Sequence, residues 1–555
     1  MISKPQNLMN VLFATLSLTG SFSVQAQTDF SAYYMQTPKE KKYEGYQNPV
    51  IRGFHPDPSI CRVGEDYYLV NSTFQYFPGV PIFHSKDLVN WKQIGNVLTT
   101  SSQLELPECE ASGGIFAPTI RYHEGRFYMI TTNMNVLMQR RPGNLIVTAN
   151  DPCGPWSEPV YTAGVRGIDP SLFWDDDGRC YCTYSLMNMS IGMFEINPET
   201  GEVLSENRAI WNGTGDSSPE GPHIIKKDGY YYLLIAEGGT EMGHKVTIAR
   251  AKNIWGPYES NPANPIATQK NLVGAASLIQ GVGHPDIIQA HDGSWWMVGL
   301  CFRTTAGKQL HTLGRETFLA PVRWDEGAWP VVNGNGVIDV EMDVPTLPRY
   351  PIEEPAVRTT FKDALGCEWV HVANPRTANY RIAGNQLQLT ATDVRLDHPS
   401  QTPTAVFRRQ EDVDVVVTTQ VTLSESKAGD AAGLTVYMDP HGHYDVALVG
   451  QPDGSQTIEL RYRLGDLLHV EKLVPLKAKA SRIQLRVEAN ASHYAFSYSL
   501  DGRRFESLGR MNSFFLATET LGGFTGMMFG LFAEGESGTR AVAAFDWFDY
   551  DGCDK

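Results

Sequence analysis

The sequence predicts an all-β chain in which a five-bladed β-propeller is followed by a β-sandwich. Three observations lead to this fold class. A strand-and-turn pattern recurs five times before residue 340, and short runs of alternating apolar and polar residues fill the chain after residue 357. The 555 residues also include 51 Gly and 33 Pro, enough for many turns. Hydrophobic residues make up 42% of the chain, which suffices for large cores and argues against a disordered protein.

Aromatic residues mark one half of the repeat. In each copy a short turn with Gly or Asp leads into an aromatic-rich pair that opens an apolar strand. The five copies are residues 65–70, 125–130, 178–182, 229–234 and 293–298. A repeat of about 50 residues made of short strands is typical of a propeller blade, so five copies predict five blades. A β-sandwich with accidental internal similarity is the alternative.

The other half of the repeat lies about ten residues before each aromatic pair and contains a proline. Proline fits the entrance of an inner strand, where no ladder hydrogen bond need be donated. The inner strand of every blade lines the propeller axis, so equivalent positions converge there. We expect five inner strands to begin near these positions and to face one axis: Asp57, Ala117, Asp169, Glu220 and His284.

Charge narrows the classes of partner. The chain has 46 Lys and Arg against 62 Asp and Glu, a net charge of −16, which repels phosphate backbones and argues against nucleic-acid binding. Neutral substrates fit this charge best. No segment beyond the N-terminus offers the ~20 uncharged apolar residues of a membrane span.

The first 26 residues predict export. Lys4 supplies a positive start, residues 11–24 form a mostly apolar stretch, and Val24-Gln25-Ala26 fits a small-residue cleavage site. We therefore expect a signal peptide and a periplasmic or secreted protein. A disordered N-terminus is the alternative.

Three of the five converging positions carry a carboxylate: Asp57, Asp169 and Glu220. Like charges and burial raise the pKa of at least one acid in such a cluster, so the cluster indicates a functional site. Two facing carboxylates can cleave a glycosidic bond if one donates a proton to the leaving oxygen and the other, ionised, activates water or attacks the sugar. A Ca²⁺ or Mg²⁺ site and a solvated rim are the alternatives.

Long motifs in residues 45–340 resemble glycoside hydrolase family 43. They occur in order, at 48–59 (NPVIRGFHPDPS), 72–80, 84–91, 167–173, 219–223, 236–240 and 313–317. The resemblance implies a five-bladed propeller that hydrolyses with inversion of configuration. It also implies that Asp57 is the general base, Glu220 the general acid, and Asp169 the residue that orients and tunes the acid. Inversion needs room for a water, so the base and acid carboxyls should lie about 6.5–9.5 Å apart.

The same resemblance implies substrate-binding side chains. Arg315 corresponds to an arginine that reaches the sugar and the base, and adjacent residues of a strand point oppositely, which favours this role over an ion pair with Glu316. Phe74 corresponds to an aromatic wall of the pocket. Phe524 corresponds to a residue of a loop that closes the pocket. For both Phe residues, an ordinary core position is the alternative.

Two further positions bear on the sugar. Phe116 and Met187 lie at or near positions where β-xylosidases of the family often carry Trp. We therefore predict an exo-acting enzyme that releases terminal non-reducing α-L-arabinofuranosyl residues from plant cell-wall polysaccharides or oligosaccharides. A β-D-xylosidase, or an enzyme that accepts both sugars, is the alternative. A non-catalytic sugar-binding propeller is more remote, because all three acids are present.

His284 occupies the axial position of the fifth repeat. In relatives this histidine lies near the channel, where it can help to hold a water or Ca²⁺, and a structural histidine is the alternative. Ca²⁺ prefers oxygen ligands, so one imidazole would need several waters beside it. We expect no cofactor to be required and leave open a Ca²⁺ ion in the propeller channel or the sandwich.

Beyond a Pro-rich linker at 343–356, the chain predicts a second domain. Short alternating runs are typical of a β-sandwich and occur at 405–407, 413–417, 458–462, 483–487 and 494–498. They resemble the lectin-like C-terminal domain of the family's xylosidase and arabinofuranosidase branches, in which the sandwich packs on the propeller. The predicted organisation is a signal peptide at 1–26, a propeller at 45–342 and a sandwich at 357–555.

Overall fold

The computed structural model describes residues 45–187, 190–272, 278–304, 309–342, 346–476 and 482–553. Regular structure in these ranges is almost entirely β-strand. The α-helices are Met134–Met138 and Thr518–Leu521, and the 3₁₀ turns are Lys270–Leu272, Thr377–Asn379 and Ser513–Leu516. No helix within the described ranges is long and apolar enough to cross a membrane. The predicted signal peptide lies outside the described residues.

Five antiparallel sheets follow one another along the chain, and each is built outward from its first strand. Blade 1 contains Ser59–Val63, Asp66–Val70, Gly79–Ser85 and Lys92–Leu98; blade 2 contains Thr119–His123, Arg126–Thr132, Asn144–Ala149 and Val160–Tyr161; blade 3 contains Ile168–Trp174, Cys180–Ser185, Ile191–Asn197, Glu202–Val203 and Arg208–Trp211; blade 4 contains Glu220–Lys227, Tyr230–Glu237, Lys245–Ala251, Glu259–Ser260 and Ala267–Thr268; blade 5 contains Ile279–Gln289, Trp295–Arg303, Glu316–Arg323 and Val331–Val332. The first strands contact one another in a ring that closes between blades 5 and 1. The predicted five-bladed propeller is confirmed.

The repeat could be read from sequence because each blade uses the same hairpin. Between its first and second strands every blade places a glycine with positive φ, a conformation that costs glycine little. These glycines are Gly64, Gly125, Gly178, Gly229 and Gly293. The aromatic pair after each turn opens the second strand, and one member of the pair, such as Tyr67 or Tyr232, is fully buried between sheets.

The expected starts of the inner strands hold for four blades. The strands of blades 1 and 2 begin at Ser59 and Thr119, just after the predicted positions, and those of blades 3 and 4 begin at Ile168 and Glu220. The expectation is wrong for blade 5, because His284 lies in the middle of Ile279–Gln289. The register of this strand shifts on both sides of Gly283, so a bulge rather than a strand end sets the position of His284.

Two larger sheets form the C-terminal sandwich. In hydrogen-bonded order, one contains Tyr380–Ala383, Gln386–Thr390, Val542–Gly552, Val415–Ser424, Ile483–Ala489, His493–Ser499 and Glu506–Asn512, with Arg358–Thr360 also paired to Val542–Gly552; the other contains Ala405–Arg409, Met528–Glu534, Ala431–Asp439, Gly442–Gly450, Gln456–Leu464 and Leu467–Pro475. Alternating apolar side chains such as Leu434, Leu485 and Phe545 fill the space between the sheets. The predicted β-sandwich is confirmed.

The outer face of the second sheet packs on the propeller. Phe407 and Phe532 from the sandwich share one buried cluster with Phe54 and Tyr76 from blade 1. Two short strand pairs join the two ends of the propeller segment and reinforce the contact with the sandwich: Tyr46–Gln47 with Glu341–Met342, and Tyr76–Phe77 with His371–Val372. Residues 522–526 form a loop just before the strand Met528–Glu534. The packing of this sheet therefore brings the loop to the propeller.

Candidate active site

The residue before the inner-strand proline adopts the same backbone conformation in four blades. Asp57, Asp169 and His284 have φ of 53, 56 and 43°, and Gly221, next to Glu220, has φ of 57°. Non-glycine residues rarely adopt this left-handed conformation, and it clusters at functional sites. The structure thus brings Asp57, Asp169, Glu220 and His284 together at one end of the axis.

Asp57 is buried, and both its carboxylate oxygens have donors. Arg315 Nη1 donates to Oδ1 at 2.9 Å, and the Ser72 hydroxyl donates to Oδ2 at 2.6 Å. Burial raises the pKa of Asp57, but the charges of Arg315 and His284 and the Ser72 hydrogen bond outweigh it and hold the pKa below its usual value. Asp57 is therefore ionised near neutral pH, as a general base must be.

Arg315 links Asp57 to the second domain. Its Nη1 also donates to Thr240 Oγ1 at 3.0 Å, and its Nη2 donates to the carbonyl oxygen of Phe524 at 3.3 Å. The alternative partner, Glu316, is taken by Arg303 at 2.8 Å. The structure therefore places Arg315 beside the base and not in an ion pair with its neighbour.

Asp169 and Glu220 form an acidic pair beside Asp57. The backbone N–H of Gly221 donates to Asp169 Oδ2 at 3.1 Å, which ties the two acids together. Burial, and then the charges of Glu220 and Asp57, raise the pKa of Asp169 well above its usual value. The pair therefore retains a proton that an isolated carboxyl would lose, and the proton belongs to the pair rather than to one residue. The Glu220 side chain is 17% exposed, so it is the member that can reach a ligand.

We expect Asp169→Asn to raise the Tm at neutral pH while activity falls. The raised pKa means that the folded protein binds this proton more tightly than the unfolded chain, so ionising Asp169 costs stability as the pH rises above 3.8. Asparagine removes that cost and can still accept from Gly221. The upper limb of the pH profile of kcat/KM should move to lower pH, because a repulsive charge that helps the pair to hold its proton is gone. Thermal melts at several pH values and the pH profile check this, and an unmoved limb would leave Asp169 with only an orienting role.

Three phenylalanines form one aromatic wall beside Arg315. Phe74 stacks on Phe524 with 5.6 Å between ring centres, and Phe116 meets them edge-on at 5.2 and 6.0 Å. Phe74 is buried, Phe116 is half-buried and Phe524 is 37% exposed. The wall therefore combines residues of the propeller and of the sandwich.

The loop that carries Phe524 is held by its backbone. The Phe524 N–H donates to Ser112 Oγ at 2.8 Å. Gly526 lies so close to Gly314 that a Cβ on Gly314 would stand 2.8 Å from the Gly526 Cα. Glu519, just before this loop, accepts from His311 Nδ1 at 2.7 Å. These contacts fix the loop over the aromatic wall.

Phe524→Ala should lower kcat/KM by up to about tenfold, mainly through a higher KM, because an aromatic pair contributes about 0.5–1.5 kcal/mol. The ring is partly exposed, so the Tm should change little. Phe514→Ala is the matched control, since Phe514 is 42% exposed and its ring contacts Phe515 outside the wall. Steady-state kinetics of both variants test this, and equal effects would show that Phe524 has no special place in the pocket.

Met187 lies at the surface near Asp169. It follows Ser185, which pairs with Ile168 at the start of the blade 3 inner strand. Its side chain is 43% exposed and its φ is 50°. The residues after it, 188–189, lie outside the described ranges, so the influence of Met187 on the pocket stays a prediction.

His284 is buried at the propeller axis, between Asp57 and Gly221. Its Nδ1 lies 3.9 Å from Asp57 Oδ1, and a Cβ on Gly221 would stand 2.9 Å from its Nε2. Burial lowers the pKa of His284, although Asp57 acts against this shift. Across the described parts of the chain, no three His, Cys, Asp or Glu side chains are grouped to hold a metal ion. Both the Ca²⁺ ion that was left open and the expectation that no cofactor is required stay predictions.

Further along the inner strands, a second polar layer joins all five blades. Arg121 lies 2.8 Å from Asp286 and 2.8 Å from His223, while Ser59 donates to Asp286 and Ser171 lies 2.9 Å from His223. Burial lowers the pKa of His223 to about 3, so its neutral Nδ1 accepts from Arg121. The guanidinium is thus the positive charge at this level of the axis.

Sequence reasoning missed several polar partners of the acids. Ser72 and Thr240 lie inside the family motifs, but only the structure assigns their hydroxyls to Asp57 and Arg315. His244 lies outside every motif, and its Nε2 is 3.3 Å from Glu220 Oε1. Its only signal is its position just before the third strand of the blade that carries the acid.

Two family models match the chain. The model for glycosyl hydrolases family 43 matches residues 46–330, and the model for the beta xylosidase C-terminal concanavalin A-like domain matches residues 358–551. The first match includes all three acids and Arg315. The second includes the loop that carries Phe524.

Individual relatives match over both domains. The non-reducing end alpha-L-arabinofuranosidase BoGH43B of Bacteroides ovatus is 39% identical over 517 residues, which cover 91% of this chain and 94% of that protein. A xylosidase/arabinosidase of Butyrivibrio fibrisolvens is 38% identical over 517 residues, covering 89% and 96%. Among solved structures, Bacteroides ovatus Xyloglucan PUL GH43B superposes with a TM-score of 0.86 at 38% identity, covering 92% of this chain and 100% of that one.

Proposed function

Because the chain belongs to glycosyl hydrolase family 43, we propose that it removes one terminal sugar at a time from the non-reducing end of a glycan, with Asp57 as general base and Glu220 as general acid. The chain is a glycoside hydrolase. One observation carries the roles of the acids, namely their opposite surroundings within one site. Arg315 and Ser72 favour ionised Asp57, whereas burial and like charge favour a proton on the Asp169–Glu220 pair.

In the proposed reaction, Asp57 takes a proton from a water molecule as the water oxygen bonds to the anomeric carbon. Glu220 gives its proton to the glycosidic oxygen as the bond from that oxygen to the anomeric carbon breaks, so the leaving group departs as an alcohol. The water attacks the face opposite the leaving group, and the sugar is released with inverted configuration. Asp57 ends protonated and Glu220 ionised, and exchange with solvent restores both.

The Phe524 loop supports exo cleavage. A loop that closes one side of the site leaves a pocket for one terminal sugar, whereas cleavage within a chain needs an open cleft. Here the loop's backbone meets Ser112 and Arg315, and its ring completes the wall with Phe74. The glycan beyond the terminal sugar would then extend away from this wall.

We propose α-L-arabinofuranose as the preferred sugar and β-D-xylose as the second. Phe116 at the pocket wall lies where β-xylosidases of the family often carry Trp, and Met187 lies near a second such position. One similar protein is named as an arabinofuranosidase and another as a xylosidase/arabinosidase, which supports this order. The name of one similar structure includes xyloglucan, so arabinofuranosyl groups of plant cell-wall polysaccharides are the proposed substrates.

Rates on an aryl α-L-arabinofuranoside and an aryl β-D-xyloside test the proposal. We expect turnover of both, with the higher kcat/KM on the arabinofuranoside. A higher kcat/KM on the xyloside would overturn the proposed sugar preference but not the assignment as an exo-acting hydrolase. Lack of turnover on both would contradict the exo activity itself.

We also propose export, with residues 1–26 removed as a signal peptide. Lys4, the apolar stretch at 11–24 and the small-residue site ending at Ala26 support it. N-terminal sequencing of the secreted or periplasmic protein should begin at Gln27. A protein that stays in the cytoplasm with residues 1–26 intact would contradict export.

A further inference from the structure

His244 is a fully buried side chain that has no role in the reaction proposed above. It lies just before Lys245–Ala251, the third strand of blade 4, and touches the residue that opens the first. Its Nε2 is 3.3 Å from Glu220 Oε1, and its Nδ1 is 3.2 Å from the carbonyl oxygen of Gly281 in blade 5. The imidazole therefore bridges the general acid and the neighbouring inner strand.

The surrounding backbone fixes this imidazole. A Cβ on Gly283 would stand 2.2 Å from the His244 ring, so the ring packs flush against the blade 5 strand. The His244 N–H donates to the carbonyl oxygen of Glu241 at 3.0 Å, and its own carbonyl oxygen accepts from Thr268 Oγ1 at 3.0 Å. Nδ1 is thus partnered by the Gly281 carbonyl, whereas Nε2 makes no hydrogen bond within the described residues and lies 3.3 Å from Glu220 Oε1.

These partners determine the tautomer. A carbonyl oxygen only accepts, so the contact with Gly281 requires a hydrogen on Nδ1. In the neutral ring Nε2 is then bare and must accept, and the group that faces it is the carboxyl of Glu220. A protonated carboxyl donates to that nitrogen, whereas an ionised one would set lone pair against lone pair. In this tautomer the ring therefore offers an acceptor to a protonated Glu220 carboxyl.

The other charged groups around this pair fit the same reading. Asp169 and Asp57 are negative neighbours that favour a proton on the pair. Arg315 is engaged by Asp57. His284 also interacts electrostatically with Glu220 and His244, and burial lowers its pKa, so it is a neutral neighbour at neutral pH. In the third strand of blade 4, Lys245 pairs with Asp216 at 2.9 Å.

Glu237, at the end of the second strand of blade 4, accepts from Thr214 and Thr247. It is therefore satisfied within its own part of the blade. Neither Lys245 nor Glu237 competes for the proton between His244 and Glu220.

We propose that His244 is a positioning residue that keeps Glu220 protonated and aimed for donation, an inference that rests on the proposed function of Glu220. Nε2, which lies 3.3 Å from Glu220 Oε1, is the acceptor for the carboxyl proton. The hydrogen bond from Nδ1 to the Gly281 carbonyl keeps the ring in the tautomer that leaves Nε2 free to accept. When Glu220 gives up its proton, solvent resupplies it and the His244 acceptor holds it in place.

His244→Asn and His244→Gln separate the two ring nitrogens. Asparagine can still donate to Gly281 but cannot reach Glu220, while glutamine extends an amide toward Glu220. For His244→Asn we expect the upper limb of the kcat/KM profile to move to lower pH. We also expect about a tenfold loss above neutral pH on substrates with poor leaving groups. A dinitrophenyl glycoside, which needs little acid assistance, should be spared, and His244→Gln should recover part of the loss.

A loss that is equal for all leaving groups, with an unmoved upper limb, would overturn the proposal and leave His244 a packing residue. Glu220→Gln, measured on the same substrates, separates this failure from failure of the proposed function, because a general acid must itself show leaving-group dependence. If neither variant folds, ¹⁵N-histidine NMR of the intact protein decides. A protonated Nδ1 with a bare Nε2 supports the inference, and the opposite tautomer overturns it.

Discussion

Asp57→Asn is expected to lower kcat/KM by at least about 10²-fold on every substrate, because loss of a general base removes the group that activates water. Asparagine keeps the shape of the side chain, so its amide oxygen can still accept from Arg315 or Ser72. The loss should not depend on the leaving group, since the base acts on the nucleophile. Steady-state kinetics on two aryl glycosides of different leaving ability, with thermal melts to confirm folding, give the measurement.

Ser72→Ala is the graded control for the base. It removes one hydrogen bond that lowers the pKa of Asp57 and leaves Arg315 in place. The acid limb of the pH profile should therefore move to higher pH, because activity is lost as the pH falls through the pKa of the base. The loss at neutral pH should be only a few-fold, in line with about 1 kcal/mol for a typical hydrogen bond.

Near-normal turnover of Asp57→Asn would refute the assignment of Asp57 as the general base.

Glu220→Gln should produce the second large loss, about 10²-fold or more on substrates with poor leaving groups. Glutamine has no proton to give the glycosidic oxygen, so a sugar or alkyl leaving group would have to depart as an alkoxide. A dinitrophenyl leaving group is stable as an anion and should be nearly unaffected. A series of aryl glycosides of graded leaving-group pKa gives the measurement, and kcat/KM of the variant should depend on that pKa more steeply than in the parent.

Glu237→Gln is the matched control for the acid. Glu237 is fully buried in the same blade and accepts hydrogen bonds from Thr214 and Thr247. Loss of the Glu237 carboxylate should lower the Tm and change kcat/KM by the same factor on all substrates. A similar proportional loss in Glu220→Gln would contradict its role as proton donor.

Most of the propeller could be predicted because its signals are local and repeated. A glycine that turns each hairpin recurs in all five blades, and an aromatic pair near the start of the next strand recurs in four of them, with Cys180-Tyr181 in its place in blade 3. The same repetition places Asp57 and Asp169 at equivalent positions and Glu220 one residue before the next, which is enough to bring residues far apart in sequence to one axis. The strand start in blade 5 was wrong because the bulge around Gly283 leaves no such signal.

The remainder of the site depends on contacts between distant segments. Ser112 holds the loop of Phe524, and the strand Ala405–Arg409 pairs with Met528–Glu534. No local pattern names such a partner. The direction of the Asp169 pKa shift could not be predicted from sequence either, because it depends on burial and on the distances to Glu220 and Asp57. His244 carried no motif and is recognised only by its geometry.

The stereochemistry of the first product tests the central claim most directly, because a base and an acid that act in a single displacement must invert the anomeric centre. Proton NMR during hydrolysis of an aryl α-L-arabinofuranoside follows the released sugar before it equilibrates in water. The account predicts that β-L-arabinofuranose appears first and that the α anomer grows in later. Initial release of the α anomer would contradict it, because retention requires a covalent intermediate and a nucleophile in place of the base.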